Sequence, residues 1–198
     1  MIAKQPDKIM PADNMPGPRQ GQWTYSHYLA LPDDGRRYEI VDGVLYMAPS
    51  SPTWWHQSAA GTLYYYLMTH VKYAGLGNVF IAPLDVELAS HTVVQPDVVV
   101  LLNRNLEKCT SSHIIGAPDL VVEVLSPGTA AYDRHQKYNA YARAGVQEYW
   151  VVVTEREAVE VFFLETTGYY LAGTYSGEDT IRSLIVPHFP VQVKQFFS

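Results

Sequence analysis

The chain has 198 residues, 47% apolar and 13% aromatic, enough to bury the core of one domain of ordinary size, which excludes a wholly disordered chain, a collagen-like repeat and a coiled coil. Fourteen basic residues against 20 acidic ones leave a net charge of −6, the wrong sign for a protein that coats nucleic acid electrostatically, although an enzyme that gathers carboxylates around a cation is expected to look acidic without it. No apolar run, Val98 to Leu102 included, comes near the about 18 residues of a membrane-spanning helix, and the single Cys109 makes no internal disulfide, so a cytoplasmic protein with no membrane partner is the expectation. Residues 1–21, polar and rich in Pro, lack the apolar stretch of a secretory signal and read as a poorly ordered tail before a single domain over residues 22–198.

In chain order, Trp23 to Leu31 predicts a short helix, ended by Pro32-Asp33-Asp34-Gly35. Tyr38 to Val41 and Val44 to Met47 predict a hairpin around Asp42-Gly43, one of the stronger short-range turn signals. After Ser50-Ser51-Pro52-Thr53 the spacing of Leu63, Tyr66, Leu67 and Val71 predicts a helix over Trp54 to Ala74. Strands are predicted over Val79 to Leu88, Pro96 to Leu102 and Leu120 to Leu125, the last two apolar enough to be covered on both faces. A second helix over Ala130 to Ala144 ends at Gly145, and further strands follow at Glu148 to Val153, Ala158 to Phe163, Gly168 to Ala172 and Ile181 to Ile185. This order predicts an α/β or α+β domain with one mixed sheet.

Asp97 opens one apolar strand and Glu123 is embedded in another, where an unpaired ionised group is expensive. Each alone fits a structural ion pair, but two strand carboxylates meeting at one end of a sheet repel unless a cation lies between them. Oxygen ligands of this kind suit Mg²⁺ or Mn²⁺. On the following helix Asp133, Lys137 and Tyr141 are four apart and share a face, which fits either a basic group beside the carboxylates or an ordinary solvent-facing ion pair. The remaining histidines show no zinc spacing, and neither a phosphate-cradling Gly-rich loop nor a nucleophile elbow is present.

The segments Tyr38 to Gly43, Ser51-Pro52 with His56, Pro83 to Val86, Gln95-Pro96-Asp97, Gly116 to Pro127 and Tyr141 to Trp150 together resemble the Uma2 family, a bacterial group abundant in cyanobacteria. The resemblance runs from Trp23 to Leu164 and implies the restriction-endonuclease-like PD-(D/E)XK fold: a mixed central sheet flanked by helices, here with an N-terminal helix and hairpin and extra C-terminal strands. It further implies a Mg²⁺- or Mn²⁺-dependent endonuclease acting on DNA. Asp97 and Glu123 match the two carboxylates, with the carbonyl of Val124 as a third metal ligand. The motif's Lys position holds Leu125, and the resemblance moves that role to Lys137, with Tyr141 one turn later. It also gives supporting roles to Glu39, otherwise a partner of Arg36 or Arg37, to His56, otherwise a cap, and to Gln95, otherwise a strand-entry side chain. A non-catalytic member serving nucleic-acid binding or assembly is the alternative. The surplus of aromatics and the stretch Val191 to Phe197 suggest a homodimer.

Overall fold

Alternate residues of one strand supply both halves of the core. In a computed structural model that describes residues 8–49 and 53–198, strand β7 (Val98–Leu102) sends Val98 and Val100 into one apolar layer, while Val99 and Leu101 enter the other. β9 (Leu120–Val124) does the same, with Val122 on one side and Val121 on the other. Both strands are buried on both faces, as their apolar runs predict.

These strands lie inside a six-stranded sheet of order β12-β11-β10-β9-β7-β4. It also comprises β4 (Gly77–Ile81), β10 (Glu148–Val153), β11 (Ala158–Glu165) and β12 (Gly168–Ser176). β9 and β10 run parallel and the other neighbours antiparallel, so the sheet is mixed. One face is covered by α2 (Trp54–Leu67), through Ala59, Ala60, Leu63 and Leu67. The opposite face is covered by the crossover helix between β9 and β10, through Tyr132, Ala140 and Tyr141. This helix has three parts, α3 (Ala130–Tyr132), a π-helical turn (Asp133–Lys137) and α4 (Tyr138–Ala144).

A second six-stranded sheet, of order β1-β3-β2-β6-β5-β8, replaces the single sheet expected from the sequence. It contains β1 (Met10–Pro11), β2 (Tyr38–Val41), β3 (Val44–Met47), β5 (Val86–Ala89), β6 (Thr92–Val94) and β8 (Ile114–Ile115). The predicted strand over Val79 to Leu88 is divided between the two sheets, because Pro83 has no N–H to give a ladder and the chain turns there. The hairpin at Asp42-Gly43 is as predicted, with positive φ of 53° and 72° at the two central residues. A side chain at Gly43 would collide with the backbone of Gly21. The short predicted helix is α1 (Tyr25–Leu29).

Of the residues expected to form a loose tail, 8–21 are described and are tied to the rest of the chain. Met10 and Pro11 pair with β3, and the Ile9 N–H donates to Gly128. Residues 1–7 and the Ser51-Pro52 motif lie outside the described residues. Among the described residues no helix is long and apolar enough to cross a membrane.

Ile181 to Ile185 is not a strand. Its spacing of apolar residues reports burial of Ile181 and Ile185, but the backbone N–H groups of Leu184 and Ile185 donate to the Glu148 carboxylate, at 2.8 and 3.1 Å, instead of to a neighbouring strand. Val191 to Phe197 is likewise no strand: Val193–Phe196 is a 3₁₀ turn, and Val191, Val193 and Phe196 are buried against this chain's own core. The residues that suggested a dimer interface there face inward. Glu148 is fully buried and also accepts from Trp150 Nε1 at 2.6 Å and Ser183 Oγ at 3.1 Å; burial pushes its carboxyl above the usual range, and these donors oppose the shift. Glu148→Ala should therefore leave several buried donors unpaired and lower stability by about 3 kcal/mol, measured by urea unfolding. Glu148→Gln, which retains one acceptor oxygen, should lose less.

Candidate active site

The register of two strands brings the first carboxylates together. Val98 pairs with Val122 in the antiparallel β7–β9 ladder, which sets Asp97, just before β7, across from Glu123. The Val124 N–H donates to Asp97 Oδ2 at 2.8 Å. Because the N–H and C=O of one strand residue point the same way, the Val124 carbonyl also faces the Asp97 side. His56, in the first turn of α2 after the Thr53 cap, places Nε2 3.1 Å from Asp97 Oδ2. Its Nδ1 is buried and has no hydrogen-bond partner among the described residues.

Lys137 closes the opposite side. Its Nζ lies 2.9 Å from Glu123 Oε1 and 2.9 Å from Glu39 Oε1, and 3.8 Å from Asp133 Oδ1. The π-helical turn that carries Asp133 and Lys137 turns both inward, so the two are a buried pair and not the solvent-facing one that their spacing also allows. Tyr141, one turn on, donates to Glu123 Oε1 at 2.6 Å. Glu39 reaches the same point from β2 of the other sheet and accepts the Gln95 N–H at 2.8 Å; Arg36 and Arg37 pair elsewhere, with Asp34 and Gln95.

Glu39, Glu123, Asp133 and Lys137 are all 5% exposed or less, so water does little to solvate their charges. Four carboxylates, counting Asp97, face one ammonium. Burial pushes the Asp133 carboxyl up to about 7 from its usual 3.8, with Lys137 and Thr129 opposing and Glu39 and Asp97 adding to the shift. Burial also drives Glu123 well above the carboxylate range, only partly offset by Lys137. For Lys137, burial favours the neutral amine but is outweighed by Glu123, Glu39 and Asp133, which hold the ammonium well above its usual value. Burial, then the charge of Glu123, raises Tyr141, so its hydroxyl stays a donor.

All of the residues singled out from the sequence, Glu39, His56, Gln95, Asp97, Glu123, Val124, Lys137 and Tyr141, thus line or support one cavity of about 70 Å³. It adjoins a wider cleft of about 480 Å³, with Arg37, His56, Gln95 and Asp97 on the boundary. Sequence reasoning missed the polar network at that boundary. The Gln95 side chain turns from the cavity to donate to Asp85 Oδ1 at 2.8 Å, Tyr28 donates to the same oxygen at 3.0 Å, and Arg37 Nε donates to Gln95 Oε1 at 3.3 Å. The one available signal was the Pro83 to Val86 motif, which places Asp85. Tyr132, buried with its ring 5.8 Å from Lys137 Nζ, was also missed, since its apolar ring reads as core.

A family model described as "Putative restriction endonuclease", Uma2, matches residues 25–194. The chain belongs to the Uma2 family. An uncharacterized protein of the cyanobacterium Synechocystis sp. is 36% identical over 88 residues, which are 44% of this chain and 45% of that relative, so the chain spans less than half the length of the curated relative it matches. A crystal structure from Anabaena variabilis, described as "a putative nuclease belonging to DUF820", superposes with a TM-score of 0.71 at 20% identity, over 88% of this chain and 97% of that one. The fold of this Uma2 protein is therefore the mixed α+β fold of that neighbour.

Whether this Uma2 site suits a divalent cation follows from its donors. Among the described residues no three His, Cys, Asp or Glu side chains are grouped as metal ligands. A site for Mg²⁺ needs fewer, since that ion keeps several waters and takes one or two carboxylates. Asp97 Oδ1 and Glu123 Oε2 accept no hydrogen bond from the described residues, and the Val124 carbonyl faces the same side. A cavity of about 70 Å³ has room for an ion and a few waters. This all-oxygen set fits a hard cation.

The raised carboxyl of Asp133 gives a pH signature of the ion-free protein. The folded chain keeps that proton from about 3.8 to about 7, where the unfolded chain has lost it, so its contribution is complete below about pH 4 and is lost as pH rises through about 7. Wild-type stability in EDTA should fall by at least about 1–2 kcal/mol between roughly pH 5 and pH 7 in urea unfolding, and Asp133→Asn should remove its own part of that slope, leaving the part that the raised Glu123 carboxyl supplies.

Proposed function

We propose that the protein is a metal-dependent nuclease that hydrolyses phosphodiester bonds in DNA. The observation that carries this reading is the placement of Lys137 Nζ 2.9 Å from Glu123, across the cavity from Asp97, by a helix that begins after the strand ends. Leu125, at the motif's Lys position, is 8% exposed and packed in the core, so no cation comes from the strand itself. The family description and the fold of the Anabaena neighbour support the same reading.

Asp97, Glu123 and the Val124 carbonyl would hold Mg²⁺ or Mn²⁺, which supplies Lewis acidity toward phosphoryl oxygens. Lys137 and Tyr141 both engage Glu123 Oε1 and so fix the rotamer that turns Oε2 to the cavity. The same ammonium offers positive charge where negative charge grows on the phosphate oxygens. Glu39, held by Lys137 and the Gln95 N–H, keeps the lysine aimed inward. Arg37 and His56, where the cavity adjoins the wider cleft, would meet backbone phosphates of the strand. A second reading, a non-catalytic member that binds nucleic acid or assembles with a partner, is favoured by the engagement of Lys137 with two carboxylates, which is also what a structural ion pair would show.

Two measurements separate these readings. Calorimetric titration with Mn²⁺ should show binding to the wild type that Asp97→Asn and Glu123→Gln each weaken at least tenfold; equal affinity in the variants would remove the assigned site. Lys137→Met should lower Mg²⁺-dependent plasmid cleavage by about 10²- to 10³-fold, the range for one positioned donor, while Mn²⁺ affinity is retained. That variant buries unpaired carboxylates, so cleavage is to be compared well below its melting temperature, checked by circular dichroism. Absence of metal-dependent cleavage by the wild type would leave the non-catalytic reading.

A further inference from the structure

Two of the four tryptophans are core residues: Trp23 and Trp150 are 2% and 0% exposed. The other two, Trp54 and Trp55, are 65% and 51% exposed and stack on each other, with ring centroids 3.6 Å apart and planes at 27°. Neighbouring residues on a helix point about 100° apart, so two adjacent indoles meet only by folding over the helix start. A stacked pair of this size left in water, next in sequence to His56 at the acidic cavity, is unusual for a surface that serves solubility alone. Trp55 also forms one wall of a separate hollow of about 460 Å³, with Phe197 as a second apolar wall and Arg156 between two carboxylates, Glu155 and Glu157, on its polar side. A flat aromatic surface beside an aromatic-lined hollow offers a nucleobase the faces it stacks on.

We infer that Trp54 and Trp55 form a stacking platform for the unpaired bases of single-stranded DNA entering the acidic cavity. The chain's net charge of −6 opposes a polyanion, so in this mode stacking on the two indoles has to supply most of the affinity. In a duplex the base faces are already stacked inside the helix, so the platform selects single strands, flaps or frayed ends. The inference rests on the nuclease reading only in naming the cavity as the strand's destination.

The test reads binding without cleavage, on the full chain in EDTA. Because Trp23 and Trp150 are buried, quenching of tryptophan emission reports Trp54 and Trp55. Titration with an oligothymidylate of about 12 nucleotides should quench saturably, and a blunt duplex of the same length should not. Trp54→Ala and Trp55→Ala, both exposed and expected to keep the fold by circular dichroism, should each weaken binding of a labelled oligothymidylate about tenfold, and Trp54→Phe should restore most of it. Absence of quenching, equal quenching by the duplex, or wild-type affinity in both alanine variants would overturn the inference. Mg²⁺-dependent plasmid cleavage by the wild type without quenching removes the platform and leaves the nuclease reading; quenching without cleavage does the reverse.

Discussion

One ammonium group shared between carboxylates from different layers is the constraint on which the rest depends. Glu39 comes from one sheet, Glu123 from the other, and Lys137 from the helix that crosses between β9 and β10. Each is too buried to be solvated, so separating the layers would expose an unpaired charge to a low-dielectric interior, a cost of several kcal/mol. The pair need not add net stability over an apolar core of equal volume. It sets where the helix stands relative to both sheets, and an aliphatic contact would tolerate sliding that a charged one does not.

The local geometry of that helix follows from the same demand. Residues four apart share a face of a regular α-helix, and the wider turn over Asp133–Lys137 keeps both ends of the segment on the inner side. Tyr132 and Tyr141, before and after it, are buried against the same carboxylates, and burial raises both hydroxyls well above their usual range. The cluster therefore carries excess negative charge in the ion-free protein, held partly by protons. That excess charge and the open oxygens on Asp97 and Glu123 are compatible with a cation there.

A buried carboxylate outside that cluster, Glu148, shows the contrasting case. Its two oxygens are taken up by donors from Trp150, Ser183, Leu184 and Ile185, so it has little left for a ligand. It anchors the C-terminal segment to the strand that pairs with β9. Burial alone therefore does not set the two cases apart; what distinguishes Asp97 and Glu123 is acceptor capacity left open at a cavity.

Much of the site was legible in the chain itself. Asp97 and Glu123 stand out because a charged group inside an apolar strand must be explained, and the period of two puts Glu123 on the face opposite Val122 and Val124. The hairpin at Asp42-Gly43 and the strands around Val98 and Val121 were likewise determined locally, by turn chemistry and continuous apolar runs. What only the tertiary structure decided was pairing at long range. Whether Lys137 faces solvent or Glu123, whether Glu39 meets an arginine or that lysine, and whether Ile181 to Ile185 forms a ladder all depend on which distant group supplies the partner. Local periodicity reports burial and not the identity of the partner, and for that reason the division of the strands between two sheets could not be read from the sequence.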